Sequence, residues 1–114
     1  MKIKNIFPLL VLGAAVSASA AVPMLYEERI ARTEEALILT GPIAGIENSR
    51  WFDYRSDVGE AQKELVSDLR RASDLEDRRD AWEEYAHELK QERIDYIEDM
   101  AEMGYRQGRV YIVD

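Results

Sequence analysis

The sequence predicts an all-α fold built around an antiparallel helical hairpin. Two segments, at about residues 49–72 and about 74–103, carry apolar residues at the 3.6-residue spacing of an amphipathic helix. A shorter helix over about residues 24–39 precedes them, and the β-prone composition of residues 105–114 predicts an extended tail. We expect residues 21–114 to form a single small domain with one modest core.

The first twenty residues have the three-part pattern of a secretory signal peptide. Lys2 and Lys4 begin the segment, an apolar run covers residues 6–16, and small residues end at Ala20. The alternative is a retained membrane anchor, but this run has about 11 residues and a bilayer span needs roughly 20. We therefore expect cleavage after Ala20 and a periplasmic or secreted mature chain with no stable membrane span.

The amino-acid composition excludes several classes of partner and of chemistry. The chain has 15 basic and 23 acidic residues and a net charge of −8, which loss of Lys2 and Lys4 would lower to −10. Such a surface repels nucleic acid and anionic lipid, so we expect no nucleic-acid partner. No cysteine is present, which excludes disulfides, thiol catalysis and a lipid-anchored lipoprotein. Apolar residues are too frequent for a disordered acidic tail, so the chain should fold.

The shorter N-terminal helix is indicated by four residues spaced three or four apart: Tyr26, Ile30, Thr33 and Leu37. Residues 40–42, Thr-Gly-Pro, supply a glycine stop followed by a proline block. Asn48 and Ser49 then offer N-cap side chains for the second helix.

The second and third helices each carry an apolar stripe. The second stripe consists of Trp51, Tyr54, Val58, Ala61, Leu65, Leu69 and Ala72, and the third of Leu75, Trp82, Ala86, Leu89, Tyr96 and Met100. Gly59 costs about 1 kcal/mol of helix propensity relative to alanine, so we interpret it as the mark of a close helix crossing. Gly104 is the expected end of the third helix.

No glycine or proline separates these two helices, so one continuous coiled-coil rod is the alternative to a hairpin. Arginines at 70 and 71 and acids at 74, 76 and 77 match the macrodipoles of a helix end followed by a helix start. Ser73 and Glu76 have capping-box spacing. A straight rod would also rotate the apolar stripe by about 120°, or about 50° with coiled-coil underwinding. The hairpin is therefore favoured.

Few residues could carry catalysis or bind metal. His87 is the only histidine, and Glu84 and His87 have the Glu-x-x-His spacing of di-iron helical bundles, with Glu60 or Glu64 as bridging carboxylates. However, helical projection places Glu84 and His87 opposite the apolar stripe, whereas bundle metals lie in the core. We therefore predict no catalytic residues, no cofactor and no metal, with Glu84 and His87 as weak metal candidates.

A set of aromatic residues could form either the core or a groove for an apolar peptide: Trp51, Phe52, Tyr54, Trp82, Tyr85 and Tyr96. Phe52, Val66 and Ile94 fall outside the main stripes and indicate a second contact surface. The run at residues 110–113 should pack on its own hairpin, with recognition as an added strand as the alternative.

Three functions are compatible with these features. The favoured one is an exported, non-enzymatic protein-binding module, of chaperone, adaptor or inhibitor type, that engages another envelope protein through an apolar groove or the acidic face of the third helix. The first alternative is a self-associating structural protein, a homodimer whose two hairpins form a four-helix bundle. The second is a metal-dependent enzyme using His87 and neighbouring carboxylates.

Overall fold

The computed structural model describes residues 23–106, and all regular structure in this range is helical. The three α-helices are α1 (Tyr26–Ala36), α2 (Ser49–Arg71) and α3 (Leu75–Glu102), and one 3-10 turn (Ile43–Gly45) lies between α1 and α2. The predicted all-α hairpin with a shorter N-terminal helix is thereby confirmed. The predicted signal peptide and residues 107–114 of the predicted tail lie outside the described residues.

Helices α2 and α3 form an antiparallel hairpin joined by residues 72–74. Tyr54, near the start of α2, stacks on Tyr96, near the end of α3, with ring centroids 5.0 Å apart. Further along α2, the Glu64 carboxylate lies within 4.8 Å of those of Glu84 and Glu88, which lie earlier on α3. The contacts therefore pair the two helices in opposite residue order, which excludes the continuous rod.

The hairpin turn is capped one residue later than the sequence suggested. Asp74 Oδ1 accepts a hydrogen bond from the Asp77 N–H at 2.8 Å, and Asp77 Oδ2 accepts from the Ser73 N–H and hydroxyl at 3.1 and 3.0 Å. The predicted pairing of Ser73 with Glu76 is wrong. Ser73 and Asp74 are both of a residue type favoured at N-caps, and each is followed by an acid three positions later. Spacing alone therefore left two registers open, and Asp74 is the N-cap.

The start of α2 and the end of α3 follow the predicted signals, whereas α1 ends at Ala36, before the predicted stop at residues 40–42. Asn48 Oδ1 accepts from the Trp51 N–H at 3.0 Å and caps α2. At the end of α3, the Tyr105 N–H donates to the Met100 carbonyl and the Gly104 N–H to the Ala101 carbonyl, which is a Schellman motif. Gly104 has φ +96°, a conformation that glycine adopts without strain.

Helix α1 runs in the same direction as α3. Glu27, early in α1, pairs with Arg79 early in α3, and Glu34 pairs with Arg93 further along both helices. With 11 residues against 28, α1 covers only part of α3. Ala31 is the only residue of α1 that is buried. Polar contacts therefore hold much of α1 against α3.

The core lies between the hairpin helices and under α1. It contains Ala31, Ile43, Trp51, Tyr54, Val58, Ala61, Leu65, Ala81, Trp82, Tyr85, Ala86, Leu89, Tyr96 and Met100. Most of these residues belong to the two predicted stripes, which confirms that helical periodicity identified the buried faces. Leu75, by contrast, is exposed at the first position of α3.

Gly59 does not lie at a close helix crossing, so that interpretation is wrong. A Cβ atom built on Gly59 would meet nothing within 4 Å. Gly59 instead borders an open depression beside Val58 and Gln62. The lower helix propensity of glycine at this position is not compensated by a close backbone approach.

Candidate functional site

The outward side of α1 exposes a row of residues at helical spacing, which we call the outer row: Tyr26, Ile30, Thr33 and Leu37. These are the residues whose spacing predicted the helix. The exposed fractions are 67% for Tyr26, 40% for Ile30 and 48% for Leu37. Since Ala31 and the half-buried acids of α1 turn towards α3 instead, the apolar outer row has no partner within the described residues.

Beside the outer row, α1 and α3 enclose an open groove of about 360 Å³. Tyr26 and Ile30 line it from α1, while Ala86 lines it from α3. Charged and titratable side chains complete its lining: Glu27, Glu34, Glu83, His87 and Lys90. A mixed lining of apolar and charged side chains is the usual composition of a protein-binding surface.

Three polar links fix α1 against α3 and so set the width of this groove. Arg93 donates to Glu34 at 2.7 Å, and both side chains are largely shielded, at 17% and 15% exposed. Arg79 donates to Glu27, and this hydrogen bond lowers the pKa of the Glu27 carboxyl. The third link joins Tyr85 to Glu35.

The Tyr85 hydroxyl donates to Glu35 Oε2 at 2.6 Å from a side chain that is only 2% exposed. Burial, followed by the hydrogen bond to Glu35, raises the pKa of Tyr85 to about 12. This phenol therefore stays neutral through the physiological range and acts as a fixed hydrogen-bond donor.

A cation and an aromatic ring add to the contact between α1 and α3. The Arg32 guanidinium lies 4.7 Å from the centroid of the Trp82 ring, a cation–π distance. Arg32 is kept in place by Glu28 and Glu35, at 3.3 and 2.9 Å. Among the described residues, the indole N–H of Trp82 is the buried side-chain donor without an acceptor.

Five of the six aromatic residues singled out in the sequence belong to the core: Trp51, Tyr54, Trp82, Tyr85 and Tyr96. Each is at most 4% exposed, so none presents a surface to a partner in this conformation. Phe52 is half exposed, as is Val66, while Ile94 is partly buried. Phe52 and Val66 are four helical turns apart on the outside of α2.

The opposite flank of the hairpin carries carboxyl groups from both helices, which we call the acidic seam: Asp57, Glu64 and Asp68 on α2, and Glu84, Glu88 and Glu92 on α3. Carboxylate oxygens of Glu64, Glu84 and Glu88 lie within 4.8 Å of one another. Further along the hairpin, Asp57 and Glu92 line one depression.

Burial and neighbouring carboxylates both raise pKa values in the acidic seam. Desolvation, then the hydrogen bond to Asp57, raises the pKa of Glu92 to about 7. Desolvation and the charges of Glu64 and Glu84 raise the pKa of Glu88. These carboxyl groups accordingly take up protons more readily than isolated ones.

The two weak metal candidates face different grooves. Glu84 belongs to the acidic seam beside α2, whereas His87 lines the groove beside α1. Their three-residue separation places them about 60° apart around α3, and a neighbouring helix lies on each side. The structure therefore does not bring Glu84 and His87 into one ligand set, although Glu64, considered as a bridging residue, does lie beside Glu84.

None of the described helices is both long and apolar enough to cross a membrane. Comparisons of the chain with protein-family models, with curated proteins and with solved structures found no match. The site is therefore argued from its own geometry.

Proposed function

We propose that this chain is exported and acts outside the cytoplasm as a non-enzymatic protein-binding module. The observation that carries the proposal is the outer row, where Tyr26 and Ile30 on α1 and Leu37, the residue that caps its C-terminus, are 40–67% exposed. The partner is another envelope protein, and its amphipathic helix docks on the outer row and enters the adjoining groove.

The arrangement of the exposed residues supports this mode of binding. Single exposed apolar residues are ordinary on protein surfaces, but a row at i, i+4 and i+11 is the pattern with which helices pair. Tyrosine is also favoured in interfaces, because it combines a large apolar ring with a polar tip. Tyr26 and Ile30 both belong to the outer row and the groove, so one partner helix can contact both.

The negative charge of the chain indicates that the partner helix is basic. The chain carries a net charge of −8, and Glu83 lines the groove. A partner helix with basic residues flanking its apolar stripe is attracted over long range and is oriented by this field. The role that fits is that of an adaptor, inhibitor or chaperone for a basic envelope protein.

The binding surface is tested by affinity capture from envelope extract with two matched variants. Ile30→Ser removes an apolar group from the outer row, and Phe52→Ser removes a comparably exposed one from the outside of α2. We expect the wild type and Phe52→Ser to retain the same partner and Ile30→Ser to lose it. Circular dichroism checks that each variant is folded.

Other outcomes would redirect the proposal. Equal retention by both variants would remove the outer row as the binding surface. A micromolar dimer that dissociates in Ile30→Ser, seen by sedimentation velocity, would instead assign the outer row to self-association. The metal-dependent enzyme alternative, which uses His87 and neighbouring carboxylates, is tested separately by elemental analysis and by comparison with His87→Ala.

Export is tested independently of binding. N-terminal sequencing of the protein recovered from the envelope fraction should begin at Ala21, the residue after the predicted cleavage position. Recovery of an intact N-terminus from the cytoplasm would contradict export and leave the binding experiment unaffected.

A further inference from the structure

The acidic seam places like charges where antiparallel helices generally place opposite ones. Residues that flank the apolar contact of two helices usually form pairs of opposite sign across it. Here Asp57 and Glu92 line one depression along the hairpin, and carboxylate oxygens of Glu64, Glu84 and Glu88 lie within 4.8 Å of one another. When all of these groups are ionised, they repel across the contact that holds the hairpin together.

The surroundings of Glu92 are predominantly acidic. From α2 it faces Asp57, and on its own helix it is flanked by Glu88 and Asp95. Arg50 lines the same depression, at the end of the hairpin where α2 begins. The nearest groups therefore favour the protonated form of Glu92.

Glu88 has a comparable environment. It faces Glu64 and Asp68 from α2 and has Glu84 one turn before it on α3. Arg71 lies at the turn of the hairpin, where it donates to Asp68 at 2.6 Å. Helix α1 contacts α3 through Arg79, Trp82, Tyr85 and Arg93. None of these four residues belongs to the acidic seam.

A hydrogen bond between two carboxyl groups requires a proton, because two carboxylates offer only acceptors. The pairs in the acidic seam can therefore be attractive or repulsive, depending on proton occupancy. A pair of this kind titrates as a unit, with one group taking up its proton well above the ordinary range.

We propose that the acidic seam is a proton-operated clamp, which draws α2 and α3 together in mildly acidic surroundings and loosens the hairpin at neutral to alkaline pH. The clamp is separate from the outer row and goes beyond the proposed binding function.

The direction of the pH effect follows from the linkage between proton binding and folding. The folded protein holds the Glu92 proton up to a pKa of about 7, while the ordinary value is 4.5. Between these two values the folded state binds more protons than the unfolded state, so stability falls as pH rises. Glu88 adds to the effect in the same direction, because its pKa is also raised.

Thermal unfolding followed by circular dichroism tests the clamp, with the purified protein in chelating buffers from pH 5 to pH 8. We expect the wild-type Tm to be higher at pH 5 than at pH 8 by roughly 5 °C. Glu92→Gln should raise the Tm at pH 8 and reduce the difference between the two pH values. The chelator prevents a divalent cation from taking the place of the proton.

Glu98→Gln is the matched control, because it removes the same charge from an exposed position of α3. It should keep the full wild-type difference between pH 5 and pH 8. Equal effects of Glu92→Gln and Glu98→Gln would assign the response to net charge and overturn the clamp. A wild-type Tm that is flat or that rises with pH would do the same.

An NMR titration of the folded wild type gives a readout that needs no variant to fold. The side-chain carboxyl carbon of Glu92 should change its shift with a midpoint near 7. A midpoint near 4.5, the ordinary value, would show that no proton is held in the acidic seam at mildly acidic pH.

Discussion

Tyr54 and Tyr96 stack with ring centroids 5.0 Å apart and an interplanar angle of 16°, and their hydroxyls hold the connection between α1 and α2. The Tyr54 hydroxyl accepts from the Leu39 N–H and the Tyr96 hydroxyl from the Ile43 N–H, each at 2.9 Å. The same two side chains thus close the hairpin and fix the segment that carries α1.

Tyr96→Phe should destabilise the fold by about 1–3 kcal/mol, because the Ile43 N–H loses its acceptor in a buried place. Urea unfolding followed by circular dichroism measures the change. Tyr26→Phe removes a hydroxyl from a side chain that is 67% exposed and serves as the control, with little expected effect. A Tyr96→Phe variant as stable as this control would show that the bond to Ile43 is unimportant.

Glu34→Gln should destabilise the protein by roughly 1–3 kcal/mol, because the shielded Arg93 guanidinium loses its charged acceptor. Glu28→Gln is the comparison, since Glu28 pairs within α1 with Arg32, which is 48% exposed, and such pairs contribute about 0.5 kcal/mol. Urea unfolding gives both values. Hydrogen exchange of the α1 amides should accelerate more in Glu34→Gln, and equal rates in the two variants would contradict the anchoring role of Arg93.

Gly59→Ala should stabilise the protein by about 1 kcal/mol, because a Cβ meets open space there and alanine favours the helix. Gly104→Ala should instead lower the free energy of unfolding by about 1 kcal/mol, because φ is +96° at that position. Chemical unfolding of the two variants side by side measures both. Destabilisation by Gly59→Ala would mean that this glycine does serve a close contact.

Alkaline titration should reveal the late ionisation of Tyr85, and burial also raises the pKa of Tyr54. The pKa of Tyr85 is raised to about 12, so ultraviolet difference absorbance should show a final step there, absent in Tyr85→Phe. The folded state keeps this proton while the unfolded state, with its ordinary value of 10.0, releases it. Stability should therefore fall between pH 10 and 12. Ionisation of all tyrosines in one step near 10 would contradict the buried bond to Glu35.

Helix positions and their buried faces were predictable for α2 and α3, because their apolar residues keep one period over many turns. Trp51, Val58 and Leu65 on α2 and Trp82 and Leu89 on α3 were all predicted on the apolar stripes and are all buried. A long stripe of this kind has only one face that can enter a core.

For α1, apolar spacing predicted that a helix forms but not where it ends or which of its faces is buried. Its apolar spacing predicted α1, whose last residue is Ala36 and not residue 39. The same spacing could not reveal that the outer row faces solvent while Ala31 and acidic residues face α3. Glu34 and Glu35 can turn inwards because Arg93 and Tyr85 on α3 supply their partners. Those partners are more than 45 residues away in sequence.

The acidic seam was also hidden, because the acids of each helix have the spacing of an ordinary solvated face. Only the register of the hairpin decides that Glu64 meets Glu84 and Glu88 and that Asp57 meets Glu92. A shift of one helical turn would place different side chains opposite one another.

The sequence by itself determined the helices, their caps at Asn48 and Gly104, and the apolar stripes, since each depends on residues within a few positions of one another. Tertiary structure alone decided the direction of α1, the exposure of Tyr26, Ile30 and Leu37, and the pairing of carboxyl groups across the hairpin. These features depend on contacts between distant segments, and no local spacing encodes which of several compatible partners a side chain meets.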